Sequence, residues 1–361
     1  MGGRTELWVN RKNLRETKTA RLDQRPLEEG QIRVSIDKMG LTANNISYAL
    51  SGDMIGYWKY FPAEGEWGNV PGWAMGGVVE SRSAAIAVGE RLYGFFPMAS
   101  EVVLEPGKVA DDLFVDAAPH RAELPTLYNQ YSRTGGEPDY LKSLEDERCL
   151  LFPLFVTSFV LYDYLIDNAF FGAQQIVIGS VSSKTGFGLA HLLKNDPNVG
   201  QQVIGITSRG NVDFVQSLNC CDQIVTYGDE SAIDANLTAA WVDMSGNGPL
   251  TSRLHHLLGE NMVESCIVGA THWDAERGRE NDLPGAKPSF FFAPGHIAKR
   301  DAEWGQGEIW RRGSVAGAEI AKSVSDHIAV EAISGSGGVA KIWRDMLDNK
   351  VSPKRGVMIS I

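Results

Sequence analysis

Short runs in which apolar and polar positions alternate dominate the first 150 residues. Residues 31–37 (QIRVSID) repeat at period two, as a strand with one buried face does, and residues 76–80 (GGVVE) follow a turn at Pro71-Gly72. Another strand pair is expected around residues 89–94 (GERLYG) and 101–104 (EVVL). The alternation stops at residues 128–148, a polar stretch with several tyrosines that reads as irregular chain or an exposed helix. From Leu150 the pattern changes to short continuous apolar runs separated by helical periodicity. The runs are 175–179 (QIVIG), 202–207 (QVIGIT), 223–227 (QIVTY), 240–244 (AWVDM), 265–269 (SCIVG) and 289–292 (SFFF), with helices expected at 188–194 and 212–218. Buried strands alternating with helices imply right-handed βαβ units and a doubly wound parallel sheet. The tail supplies a helix at 339–349 and a last strand at 356–361. The fold class is therefore α/β, with a β-rich domain ahead of a Rossmann-type sheet.

Composition narrows the partners. The 361 residues carry a formal net charge of −11, with 43% hydrophobic and 22% charged residues. That balance suits a globular chain, and a surplus of acid disfavours nucleic acid or an anionic membrane as partner, since polyphosphate recognition needs clustered positive charge. The most apolar stretch, residues 149–171, contains Pro153, Asp163 and Asp167 and reads as buried core rather than a membrane span. No secretory signal is evident at the start of the chain. The four cysteines, two of them adjacent, make no disulfide framework. A cytoplasmic protein is expected.

Candidate chemistry begins at the strand, turn and helix of residues 175–194. In a dinucleotide-binding unit, glycines let the backbone approach a pyrophosphate at the positive end of the helix. Here the G-x-G-x-x-G positions hold Ser183, Thr185 and Gly188, so one glycine survives. Ser180, Ser182, Ser183, Lys184 and Thr185 instead place hydroxyls and an ammonium where phosphate oxygens would lie. A polar helix cap explains the hydroxyls but not Lys184. Lys184-Thr185 is not the end of a P-loop, because Ile178 and Ser183 stand where that motif needs glycine. After the second strand an NAD site usually has a carboxylate for the ribose 2′-hydroxyl. This chain has Thr207-Ser208-Arg209, and Ser208 with Arg209 suits a 2′-phosphate instead, which selects NADP(H). The competing reading of Arg209 is a solvated turn residue.

Several phrases then resemble, in order, the medium-chain dehydrogenase/reductase superfamily. They include residues 26–34, 41–48, 71–79, 89–94, 157–159, 222–227, 242–246 and 354–359. Those around Gly56-Tyr57-Trp58, residues 93–100, residues 182–185 and Val268-Gly269-Ala270-Thr271-His272-Trp273 resemble a branch catalogued as a domain of unknown function. The resemblance implies a GroES-like substrate domain at 1–150, a Rossmann NADP-binding domain at 151–322, and a return to the first domain at 323–361. It also implies cofactor contacts from Thr157, Tyr227, Gly246, Gly269, Ala270 and Thr271, and a homodimer.

Zinc alcohol dehydrogenases of that superfamily need cysteine and histidine ligands in the first lobe. No cysteine precedes Cys149, and His120 is the lobe's one histidine, so no metal is expected and zinc-free quinone and enoyl reductases become the model. The implied reaction is hydride transfer from NADPH to an activated alkene, quinone or carbonyl of a small apolar or aromatic substrate. By resemblance Asn44 and Tyr48 line the substrate side, and Tyr57 or water gives the proton. Tyr60, Tyr128 and Tyr131 are further phenols on expected loops, and Trp58 and Trp73 could wall a flat pocket. For any single tyrosine, plain packing is the competing explanation. Cys220-Cys221 and Phe290-Phe291-Phe292 read as packing, the latter as sheet core. The alternative function is a catalytically silent NADPH-binding redox sensor or scaffold, because fold does not fix function.

Overall fold

The computed structural model describes residues 3–268, 283–291 and 293–361. The chain divides into two compact units, Met1–Leu150 with Ala329–Ile361, and Leu151–Ile328.

The first unit is mainly antiparallel. Strands β1 (Arg4–Asn10), β2 (Thr17–Leu22) and β4 (Trp67–Asn69) make a three-stranded sheet in the order β2-β1-β4. A larger sheet contains β3 (Ile32–Leu41), β5 (Pro71–Ser81), β6 (Arg91–Pro97), β7 (Glu101–Leu104), β8 (Pro106–Gly107), β9 (Leu113–Asp116) and β10 (Gln130–Arg133). Two short helices follow β3, namely α1 (Ala43–Leu50) and α2 (Gly52–Ile55), and α3 (Asp139–Lys142) and α4 (Glu145–Leu150) close the first part of the unit.

The second unit opens with α5 (Phe152–Asp167) and then alternates strand and helix. Its elements are β11 (Gln175–Gly179), α6 (Lys184–Asn195), β12 (Gln202–Thr207), α7 (Val212–Leu218), β13 (Gln223–Thr226), β14 (Ala239–Asp243), α8 (Gly248–Leu258), β15 (Met262–Ile267) and β16 (Ser289–Phe290). Helices α9 (Ala293–Trp304) and α10 (Glu308–Val324) complete it. Among the described residues the strand order is β13-β12-β11-β14-β15-β16, with every pairing parallel. All five residues of β11 and of β14 are buried, which explains their unbroken apolar runs, since a central parallel strand is covered on both faces. The chain then returns to the first unit, where β17 (Ala329–Ser334) and β18 (Arg355–Ser360) extend the large sheet and α11 (Ser336–Leu347) joins them.

Four readings change. The stretch 128–148 is neither irregular nor exposed throughout: β10 pairs with β6 and β9, Tyr131 is wholly buried, and Arg148 is buried in an ion pair with Glu137. Charge satisfied inside the fold is invisible to a polarity count. Phe290 is 68% exposed, so it is an edge residue rather than sheet core, whereas Phe291 is buried. The phrase 157–159, which the resemblance places at the start of the helix before the phosphate turn, lies in the middle of α5. Strands β1, β2 and β17 were not anticipated. In β17 every residue is at least partly exposed, and β2 buries only Ala20, so neither has a full apolar face.

Most of the apolar stretch 149–171 forms α5, and no described helix is long and apolar enough to cross a membrane.

Candidate active site

In the second unit the strand order reverses between β11 and β14, which opens a crevice beyond their C-terminal ends, the usual ligand position in a doubly wound sheet. The residues there are the turn after β11 and the loop after β14.

The turn after β11 is tight. Ser180 is in the left-handed region at φ 52°, uncommon for a residue with a Cβ. Ser183 caps α6, its hydroxyl accepting from the Gly186 amide at 3.1 Å, so Lys184 and Thr185 occupy the first helical turn. Ser182 Oγ accepts from Thr207 Oγ1 at 3.0 Å and from Asn211 Nδ2 at 3.1 Å. Both of its lone pairs are then engaged and its own O–H is left to donate. Tyr227 follows β13 and hydrogen-bonds Ser180; burial pushes its phenol up to about 12. The surviving glycine serves helix packing: a Cβ on Gly188 would lie 2.6 Å from Ser158 Oγ and 2.8 Å from the Phe155 ring. Ser158 Oγ reaches the Thr185 carbonyl at 2.8 Å, tying α5 to the first turn of α6. Thr157 instead bonds within its own helix, to the Pro153 carbonyl at 3.0 Å.

Two features fit a phosphate. Lys184 is half-buried, and burial lowers its ammonium to about 8, so a neighbouring anion would be favoured. Past the end of β12, Ser208 is half-buried and the Arg209 side chain is 84% exposed, 3.9 Å from Asp229. After β14, the buried Asp243 carboxylate accepts from the Ser245 amide at 2.7 Å and the Gly246 amide at 3.0 Å. Burial raises its pKa despite those bonds. Gly246, at φ 64°, is thus held in a fixed turn with its amide already used. Gly269, Ala270 and Thr271, with His272, lie outside the described residues. Sequence reasoning missed Asp243, Thr207 and Asn211, which act through side-chain bonds that no spacing rule reveals.

The substrate-side residues belong to the first unit. Thr42 and Asn45 form a capping box at the start of α1, and Asn45 Nδ2 donates to the Pro71 carbonyl at 3.0 Å, fixing the helix to β5. At spacing i, i+4, Asn44 and Tyr48 share one face, and Asn44 Nδ2 donates to the Tyr48 hydroxyl at 2.7 Å. Gly56, at φ 96°, ends α2 and turns the chain so that Tyr57 enters the fold. The Tyr48 and Tyr57 rings are 4.6 Å apart, Phe95 and Tyr128 likewise 4.6 Å, and Trp73 stacks on Tyr93 at 5.5 Å. Tyr57 and Tyr128 hydroxyls are 3.0 Å apart. Asn44, Trp73 and Tyr128 are half-buried and give the cluster an open rim, while Tyr48, Tyr57, Tyr60 and Phe95 are buried. Burial, then the neighbouring Tyr128, pushes the Tyr57 phenol well up, so it stays protonated.

Tyr131 is not on a loop; its hydroxyl donates to the Phe95 carbonyl from within β10. Trp58 does not join the ring cluster. Its indole wedges between Gly52 and Gly68 and lines a cavity of about 420 Å³ with Arg11, Asp53 and Trp67. Among the described residues no group of three or more His, Cys, Asp or Glu is placed to hold a metal.

A six-stranded parallel sheet, joined to a mainly antiparallel domain that the chain re-enters at its end, is the fold of the medium-chain dehydrogenase/reductase oxidoreductases. CurA from Vibrio vulnificus, solved in complex with NADPH, aligns with TM-score 0.62 at 11% identity, covering 99% of this chain and 98% of that one. The yhdH oxidoreductase from Salmonella enterica, in complex with NADP, aligns at TM-score 0.54 and 14% identity over 99% of both chains. The quinone oxidoreductase from Coxiella burnetii gives 0.53 and 13%, again over 99% of both. The chain belongs to the family described as "Protein of unknown function (DUF2855)", whose family model matches residues 39–352. No curated protein matches it.

Proposed function

We propose that this protein is an NADPH-dependent, zinc-free reductase of a small apolar or aromatic substrate bearing an activated alkene, quinone or carbonyl. The observation that carries the reading is the hydroxyl-lined turn after β11, with half-buried Lys184 at the start of α6 and Ser208-Arg209 past the end of β12. Pyrophosphate oxygens would be held by Ser182, Lys184 and the α6 amides, and a 2′-phosphate by Ser208 and Arg209. The cofactor would supply hydride. The chain's own residues would do the rest: the rim at Asn44, Trp73 and Tyr128 would seat a flat substrate, and Tyr57 or water would give the proton. NADP(H) bound to two of the similar structures is consistent with that choice. A homodimer working in the cytoplasm completes the proposal; the four cysteines are free thiols, as a reducing compartment would keep them.

The test is loss of NADPH absorbance with quinones, enals, enones and aldehydes. Turnover of one class supports the reading. Tight NADPH binding with no turnover of any class would overturn it and leave the silent sensor or scaffold.

A further inference from the structure

Neighbouring residues of the 3₁₀ turn Tyr57–Lys59 have different surroundings. Tyr57 packs among the rings of the cluster, whereas Trp58 lines the cavity of about 420 Å³. That volume falls within the roughly 300–1,000 Å³ of small-molecule sites. Trp58 is 6% exposed, and its indole N–H, which can only donate, meets no acceptor among the described residues. The same N–H is not sealed from solvent. Two glycines hold the indole in place. A Cβ on Gly68 would lie 2.4 Å from its ring, and a Cβ on Gly52, which also lines the cavity, 2.2 Å from Nε1. The bare Gly52 therefore leaves the donor uncovered. A donor on so buried a side chain rarely goes without an acceptor, and this one has only the cavity in which to find it.

The charges around that donor favour an anion. Arg11 and Lys59 line the cavity against one carboxylate, Asp53, which is already ion-paired with Arg11. Lys59 is exposed and has no carboxylate partner among the described residues. Glu66, close by in sequence, is taken up by Lys12 at 3.2 Å. Trp67 and Pro62 supply an apolar wall, and Lys18 Nζ sits 5.8 Å from the centre of the Trp67 ring. On a chain of net charge −11 this is a local surplus of cation. We propose that the cavity binds a small planar monoanion, an aromatic carboxylate, whose oxygens accept from Trp58 Nε1 and Lys59 and whose ring lies against Trp67 and Pro62. Water alone would satisfy the indole N–H but would give no use to the apolar wall or to Lys59. An aromatic cation would meet Arg11 and Lys59 as like charges. The proposal stands apart from the reductase reading, since every lining residue belongs to the first unit and none to the ring cluster.

The test titrates the full chain with benzoate, benzyl alcohol and benzylamine and follows the nine tryptophan indole N–H signals by heteronuclear NMR. Single Trp→Phe variants assign the signals of Trp58, Trp67 and Trp73. We expect benzoate to move Trp58 downfield, as a bond donated to a carboxylate does, and Trp67 with it, while Trp73 in the ring cluster stays still. Benzyl alcohol should bind several-fold more weakly, and benzylamine should leave both signals in place. Two charge variants carry opposite signs. Lys59→Gln should weaken benzoate about fivefold or more and leave benzyl alcohol unchanged, whereas Asp53→Asn, which releases Arg11, should tighten benzoate several-fold. Both side chains are exposed, so these variants decide the matter even where Trp58→Phe does not fold. Equal binding of benzoate and benzyl alcohol, or charge variants that move benzoate in the same direction or not at all, would overturn the anion assignment. A benzoate titration that moves Trp73 but not Trp58, or that moves no indole signal at millimolar concentration, would overturn the site.

Discussion

If NADPH binds beside Lys184 as proposed, the lowered ammonium makes that binding pH-dependent in a direction that can be worked out beforehand. Without ligand it titrates near 8, because burial penalises its charge. A phosphate beside it would return it to the ordinary lysine value of about 10.5 or above. Binding then takes up a proton wherever the free protein has lost it. At pH 7 Lys184 is already charged and little uptake occurs. At pH 9 about nine-tenths of free molecules must first regain a proton, which weakens affinity about tenfold relative to pH 7. The 2′-phosphate does not interfere, since its second ionisation, near 6, is complete by then. For the unliganded fold the sign is the reverse of a stabilising ion pair. The unfolded chain binds more protons between 8 and 10.5, so Lys184's contribution to stability rises with pH across that window. Isothermal titration calorimetry in two buffers of different ionisation heat measures both affinity and proton uptake. We expect uptake of about half a proton at pH 8, approaching one at pH 9, and expect Lys184→Met to abolish it. A dissociation constant flat from pH 7 to 9, with no proton uptake, would refute Lys184 as a phosphate ligand.

Three further outcomes follow from single side chains. Arg209→Ala should weaken NADPH by one charge-assisted contact, about 1.5–3 kcal/mol, and leave NADH unchanged, whereas Lys184→Met should weaken both; equal losses in Arg209→Ala would remove Arg209 from the 2′-phosphate. Tyr57→Phe keeps the ring packing and should lower kcat by roughly 10²–10⁴-fold with KM nearly constant, measured on whichever substrate the screen returns. A fall of about tenfold or less would assign the proton to water or Tyr128. Gly188→Ala would place a methyl 2.6 Å from Ser158 Oγ, inside the α5–α6 packing. Destabilisation of about 1–3 kcal/mol is expected, read as a lower midpoint in chemical denaturation.

Tertiary structure also assigns roles that the motifs left open. Gly188 occupies the last glycine position of the dinucleotide fingerprint, yet its measurable constraint is contact with Phe155 and Ser158 on α5. Cys221 presses on β12, where a Cβ on Gly205 would lie 2.8 Å from its sulfur, which agrees with the packing role read for the cysteine pair.

What the sequence determined by itself was the class of fold. Buried parallel strands must be apolar along their length, and the helices between them must be amphipathic, so the runs at 175–179, 202–207 and 240–244 announced the sheet that β11, β12 and β14 form. The hydroxyl-rich turn and the absence of a carboxylate after Thr207 were legible for the same reason: they lie within a few residues of elements whose period is plain. What only the tertiary structure decided was everything made by residues distant along the chain. Asn211 and Thr207 converge on Ser182, Asp243 holds the Gly246 turn, and Trp73, Tyr48, Tyr128 and Tyr57 come together from a strand, a helix and two 3₁₀ turns. Hydrophobic period reports which face of an element is buried. It carries no information on which donor meets which acceptor once that face is packed, because hydrogen bonding depends on distance and direction between side chains and not on their order in the chain.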